Sequence, residues 1–267
     1  WTMDYELILL DADGTLFDYD RAERHAVETT FRDFGLDFSD QILARYRAVN
    51  DALWKELERG NTTSAELRVE RFRRLLAEIR DAAPESGSIQ ASTQASTHTS
   101  ARASAQTPAP EIAPVPAAVR APDVEALSRC YLRHLAEGSY VIDGAEDICR
   151  YMAQRYTLAI LTNGIAEVQR SRLSKSVLRD IIPHIIISEE VGLSKPDPRI
   201  FEYAMNALGH PRRDTVLMVG DSLSSDILGG VNAGIHTCWY NPHGATCRED
   251  LAPTYEIRAL HELRLLL

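Results

Sequence analysis

Apolar residues along this chain follow two different patterns. Between residues 18 and 81 they recur every three or four positions, and Ile42, Tyr46, Val49, Leu53 and Leu57 fall on one helical face. Gly60 ends that helix, and Thr63 with Glu66 predicts a capping box for the next. Residues 124–136 read as helix again. Elsewhere the apolar residues form short unbroken runs. Residues 5–10, 157–161, 184–187, 216–219 and 235–239 predict buried strands, the later ones separated by helix-like stretches. Strands alternating with helices predict a parallel sheet covered on both faces. The expected fold is therefore α/β, a doubly wound parallel sheet carrying an α-helical cap inserted after its first strand. Residues 1–17 and 140–267 are assigned to the core and 18–139 to the cap.

One stretch fits neither pattern. Ala, Ser, Thr and Pro supply 26 of the 39 residues from 84 to 122, which include no Leu, Phe, Tyr or Trp. Such a segment buries too little apolar surface to offset the entropy of ordering, so a disordered low-complexity insertion is expected there.

Composition narrows the chemistry. The 267 residues carry 29 Lys and Arg against 39 Asp and Glu, a net charge of −10. That charge repels phosphate backbones, so no nucleic-acid polymer is expected as a partner. It still allows a small phosphorylated substrate held by local cations. No run approaches the ~18 apolar residues of a membrane span. No basic stretch leads the first apolar run, which argues against a signal peptide. The four cysteines, Cys130, Cys149, Cys238 and Cys247, form no CxxC pair, and no nearby histidines complete a zinc pattern. Reduced thiols in a cytoplasmic protein are expected, acting as a monomer or weak homo-oligomer.

Four polar clusters punctuate the predicted strands. Asp11-Ala12-Asp13-Gly14-Thr15 follows the first, and Thr162-Asn163-Gly164 the second. Ser194-Lys195-Pro196-Asp197 lies in the loop after the third, and Gly220-Asp221-Ser222 follows the fourth, with Asp226 five residues on. Singly, each reads equally well as a turn or a helix cap. Together they sit beyond the carboxyl ends of parallel strands, where such sheets bind ligands. Asp11 and Asp221 offer hard oxygen ligands for Mg²⁺. Lys195 can offset charge on both carboxylate and phosphate, and Thr162 can donate to phosphoryl oxygens. Asp11 can then attack phosphorus, while Asp13 protonates the leaving oxygen and later deprotonates water.

These clusters, in this order, resemble the haloacid dehalogenase (HAD) superfamily of phosphohydrolases. The resemblance implies a Rossmann-like core and a Mg²⁺ cofactor. It makes Asp11 the nucleophile, Asp13 the general acid and base, and Lys195 the bridging cation. Thr162 and Asn163 would bind the phosphoryl group. The metal would sit on Asp11, the backbone carbonyl of Asp13, and Asp221, with Asp226 orienting Lys195 or a metal-bound water. An acid at position 13 matches phosphoester rather than halide leaving groups.

Tyr46-Arg47-Ala48-Val49-Asn50, Leu53-Trp54 and residues 60–72 look like the noncanonical pyrimidine nucleotidase subgroup. So do Ile187-Ser188-Glu189-Glu190-Val191-Gly192 and the run from Val216 through Ala233 to Trp239. The implied substrates are pyrimidine nucleoside monophosphates such as UMP, dUMP and dTMP. The insertion at 84–122 departs from that subgroup's compact cap. Rival readings are a phosphatase or phosphomutase for phosphoglycolate or a sugar phosphate, and a non-catalytic phosphate sensor. Within the cap, Tyr46 and Trp54 are expected to pack rather than touch a base. Asn50 and Arg68 read as exposed helical residues or as contacts to a pyrimidine edge.

Overall fold

The computed structural model describes residues 4–82, 122–209, 211–247 and 250–267. The expected insertion at 84–122 lies outside the described residues but for Pro122. Six strands form one all-parallel sheet in the order β3-β2-β1-β4-β5-β6. They are β1 (Leu7–Leu10), β2 (Thr157–Thr162), β3 (His184–Ile187), β4 (Val216–Gly220), β5 (His236–Tyr240) and β6 (Tyr255–Ile257). β1 lies between β2 and β4, so the chain winds outward from it in both directions and opens a crevice at its carboxyl end.

The helices divide between two tasks. α1 (Tyr19–Asp33), α2 (Asp40–Glu58), α3 (Ser64–Ala82) and α4 (Val124–Glu137) all lie between β1 and β2 in sequence. The others flank the sheet: α5 (Ala145–Met152), α6 (Ala166–Ser174), α7 (Ser188–Val191), α8 (Pro198–Ala207), α9 (Leu228–Ala233) and α10 (Leu263–Leu266). Every residue of β1 is buried, because both sheet faces are covered. Ile8 and Leu10 join a cluster with Ile148 and Met152 of α5, while Leu7 and Leu9 pack with Phe201 and Met205 of α8.

Several sequence-based boundaries shift. β1 begins at Leu7 rather than residue 5, and β2 and β4 each extend by one residue. β5 begins at His236, because Ile235 donates its N–H to Gly230 O (3.0 Å) in closing off α9. β6 escaped the sequence reading: it has three residues, and Glu256 at its centre is exposed.

The cap has its own apolar centre. Val27 and Phe31 of α1, Tyr46 of α2, Phe72 and Leu75 of α3, and Tyr131 of α4 meet there. The Phe72 ring centroid lies 5.8 Å from that of Tyr46 and 5.3 Å from that of Tyr131. Gly60 ends the turn after α2 at φ +75°. The predicted capping box forms: Glu66 N–H donates to Thr63 Oγ1 (3.2 Å) and Thr63 N–H to Glu66 Oε2 (2.9 Å). Ile42 and Leu57, assigned to the buried face of α2, are only half-buried, and Asn50 is buried in their place. Phe72→Ala would leave a void among three elements that cannot easily collapse. It should cost about 3–5 kcal/mol in urea unfolding.

Candidate active site

The first cluster sits at the end of the central strand. The Asp11 N–H donates to Val219 O (2.9 Å), which carries the β1–β4 pairing one residue past β1. Gly14 then turns at φ +86°, and a Cβ there would lie 2.5 Å from Asp221 Oδ2. Only glycine lets the loop after β1 close against the loop after β4. Thr15 Oγ1 donates to Asp221 Oδ1 (3.3 Å), and Trp239 Nε1 holds the Asp221 carbonyl (2.9 Å). Gly220 serves a similar contact, since a Cβ would lie 2.2 Å from Asp226 Oδ2.

Lys195 joins the pieces. Its side chain is 1% exposed, and Nζ donates to Asp11 Oδ1 (2.5 Å), Asp226 Oδ1 (2.7 Å) and Leu161 O (2.7 Å). All three ammonium protons are thus used. Asn163 grips the same residue from behind: Nδ2 donates to Lys195 O and Lys195 N–H donates to Asn163 Oδ1, both at 2.8 Å. The Asn163 amide is therefore committed to the lysine loop. Asp226 is fully buried, and its second oxygen accepts from Ser222 N–H (3.0 Å).

The electrostatics follow from burial. Desolvation, with Asp226 and Asp221 adding repulsion, holds the Asp11 carboxyl well above its usual pKa despite the opposing pull of Lys195. Desolvation opposes the charge on Lys195, but Asp11 and Asp226 outweigh it and raise its pKa. Asp221 is open to the cleft yet crowded by protein. Its pKa is pushed up to about 7, first by desolvation and then by Asp226. Carboxylate oxygens of Asp11, Asp221 and Asp226 all lie within 4.8 Å of one another. Lys195 pairs with Asp11 and Asp226 while Asp221 stands beside them, so the cluster suits a divalent cation. Asp11 and Asp221 line the cleft, whereas Asp226 stands behind it with both oxygens engaged.

Asp13 is held by two residues that the sequence reading missed. Gln169 Nε2 donates to Asp13 Oδ2 (2.5 Å), and Arg172 forms an ion pair with Asp13 Oδ1. Arg172 is fully buried, with Nε on Gly138 O (3.1 Å) and its guanidinium carbon 5.0 Å from the centroid of Phe17. Nothing in the sequence marks them out: only in the folded α6, which follows the Thr162 cluster directly, are polar Gln169 and Arg172 buried one turn apart. Thr162 is buried with Oγ1 accepting from Gly164 N–H (3.0 Å).

The cleft holds about 330 Å³ and runs between core and cap. Tyr19, Asp51, Trp54, Lys55 and Glu58 form its cap side, opposite Asp11, Thr162, Lys195 and Asp221. The cap residues weighed in the sequence separate here. Tyr46 packs inside the cap, as expected, but Trp54 lines the cleft while also packing on Leu53. Asn50 is buried and donates to Tyr19 Oη (3.4 Å), and Arg68 pairs with Glu189 of the core. Neither is the free helical face that the sequence allowed.

Comparison with known proteins agrees with this arrangement. A family model described as haloacid dehalogenase-like hydrolase matches residues 5–234. The chain is 33% identical to pyrimidine 5′-nucleotidase YjjG of Escherichia coli (strain K12), over 99% of both chains. It is 30% identical to pyrimidine 5′-nucleotidase PynA of Streptococcus pneumoniae, over 98% of this chain and 94% of the other. A magnesium-bound crystal structure of the HAD-hydrolase YfnB from Bacillus subtilis superposes with a TM-score of 0.78 at 32% identity, covering 98% of both chains. The strand-end clusters, the helical insertion and these full-length similarities agree: the chain belongs to the haloacid dehalogenase-like hydrolases and is a phosphoric monoester hydrolase.

Proposed function

We propose that the protein is a Mg²⁺-dependent pyrimidine 5′-nucleotidase that works through an aspartyl phosphate. The observation that carries this reading is Asp11, fixed by the buried Lys195 and facing a cleft with Trp54 on its cap side. Asp11 attacks phosphorus in line, forming a carboxylate–phosphorus bond as the ester oxygen leaves. Lys195 offsets the negative charge that gathers between nucleophile and phosphoryl group. Thr162 Oγ1 and nearby backbone N–H groups donate to the phosphoryl oxygens. Asn163 acts indirectly, by locking the backbone of Lys195.

Asp13 gives a proton to the leaving oxygen, then takes one from the water that hydrolyses the aspartyl phosphate. To reach the ester oxygen, its carboxylate exchanges the contacts with Gln169 and Arg172 for the substrate. Asp11, the carbonyl of Asp13, and Asp221 would hold Mg²⁺, and the clustered carboxylates fit that ion. When bound, Mg²⁺ polarises the phosphoryl oxygens and offsets their charge. Asp226 then serves as the anchor for Lys195.

The pyrimidine assignment is supported by similarity to YjjG and PynA over nearly the whole chain, and by the aromatic face of Trp54 in the cleft. The cleft volume lies in the range of small-molecule sites. No described helix is long and apolar enough to cross a membrane. All four cysteines are free thiols, which supports a cytoplasmic site of action.

Asp11→Asn should keep the circular dichroism of the parent and lose on the order of 10⁴-fold or more in kcat. Full activity in that variant would remove the aspartyl phosphate. Across a panel of monophosphates, UMP, dUMP and dTMP should be hydrolysed well ahead of phosphoglycolate and sugar phosphates. The reverse ranking would leave the phosphatase and reassign its substrate. Because Asp221 holds its proton up to about pH 7, Mg²⁺ must displace that proton below neutrality. Calorimetric titration should show the apparent Mg²⁺ affinity falling about tenfold per pH unit below about 7 and levelling above it.

A further inference from the structure

A second set of donor atoms lies outside the cleft, where α1 and α4 pack together. Asp33 is the last residue of α1. Cys130 and His134 stand one turn apart on α4 and therefore share a face. Cys130 Sγ lies 3.4 Å from Asp33 Oδ2, and His134 Nε2 lies 2.8 Å from the same oxygen. All three donor atoms fall within 4.8 Å of one another. The sequence reading found no histidine completing a zinc pattern around a cysteine. The fold brings Asp33, 97 residues upstream of Cys130, beside this pair on α4.

We propose that Asp33, Cys130 and His134 bind a zinc ion, with water as the fourth ligand. Thiolate, imidazole and carboxylate together suit zinc, whereas magnesium favours oxygen alone. Zinc bonds of about 2.0–2.3 Å place tetrahedral ligands roughly 3.3–3.5 Å apart. The 3.4 Å between Cys130 Sγ and Asp33 Oδ2 matches that spacing, the 2.8 Å between His134 Nε2 and Asp33 Oδ2 must open by about half an ångström, and the third pair lies within 4.8 Å. Binding breaks the S–H bond of Cys130, forms a Zn–S bond and releases the proton to solvent.

Three surrounding groups support the assignment. Glu137 Oε2 lies 3.6 Å from His134 Nδ1, on the side of the ring opposite the zinc-binding nitrogen. A carboxylate there fixes the orientation of a metal-bound imidazole. Thr30 is fully buried beside Cys130, and its hydroxyl has no hydrogen-bond partner other than that sulfur. A metal-bound thiolate would accept that hydrogen bond. Arg133 Nη2 lies 3.3 Å from Cys130 Sγ and 3.8 Å from Asp33 Oδ2, so a cation already visits the donor set. Its side chain is 65% exposed and free to swing out.

The site is sheltered but reachable. Cys130 is 7% exposed and the His134 side chain 12%, while the Asp33 side chain is 41% exposed. Bound zinc would clip α1 to α4, the two helices through which the cap joins the core.

The test uses the full chain in saturating Mg²⁺, which occupies the carboxylate cleft. Cobalt(II) serves as the coloured substitute for zinc. One equivalent should give a near-ultraviolet thiolate-to-cobalt charge-transfer band, and zinc should abolish it. Zinc should also raise the thermal unfolding midpoint by several degrees. Cys130→Ser should lose the band, and His134→Gln should weaken zinc at least about tenfold, with both variants checked by circular dichroism. Absence of a thiolate band in the parent overturns the proposal. So does a band that survives in Cys130→Ser, or unchanged zinc affinity in His134→Gln.

Discussion

The cleft depends on one buried ammonium group placed between two carboxylates. Lys195 touches Asp11 at the end of β1, the Leu161 carbonyl in β2, and Asp226 beyond β4. Three neighbouring strands are thereby tied at one point, on the edge of the sheet where their polar loops emerge. Taking a charged amine out of water is costly, and it persists here because each proton has an acceptor and two acceptors are anionic. Removing the lysine would leave adjacent buried carboxylates unpaired, a loss of about 3–5 kcal/mol for comparable buried pairs. The same contact directs Asp11 into the cleft. The bonds that fix Asp11 at the cleft therefore also tie the three strands together.

Charge explains the rest of the floor. Asp11 and Asp226 share the Lys195 ammonium with Asp221 close beside them, so negative charge gathers on this floor. The pKa of Asp221 is pushed to about 7, first by desolvation and then by repulsion from Asp226. A divalent cation would relieve this crowding of carboxylates, and their oxygens lie close enough to share one. The chain's net charge of −10 sets only the background.

Side chains of α3 and α6 help bind the cap to the core. Arg68 and Ser64 of α3 both hold Glu189, whose second oxygen accepts from Ala166 N–H at the start of α6 (2.8 Å). Arg172 of the same helix grips Asp13 and the carbonyl of Gly138, the residue that ends α4. One guanidinium thus holds both the carboxylate assigned to proton transfer and the chain returning from the cap.

By itself the sequence determined the doubly wound order of strands, the helical insertion after the first, and the four clusters that carry the chemistry. These were legible because each is local: a run of apolar residues needs two covered faces, a Thr63–Glu66 box needs only four residues, and polar groups after parallel strands must emerge on one edge. Tertiary structure alone decided which groups hold the others. Gln169 and Arg172 look like ordinary surface residues of a short helix until the return from the cap buries them. The contacts of the Asn163 amide with the backbone of Lys195 join positions 32 residues apart. Trp54 belongs to an amphipathic pattern that cannot say whether a ring on its border faces the cap or the cleft. β6 needs β5 beside it to be a strand at all, and Cys130 with His134 needs Asp33 from another helix to become a donor set. Periodicity and spacing act within a few residues of chain, whereas burial and ion pairing depend on neighbours that only folding brings together.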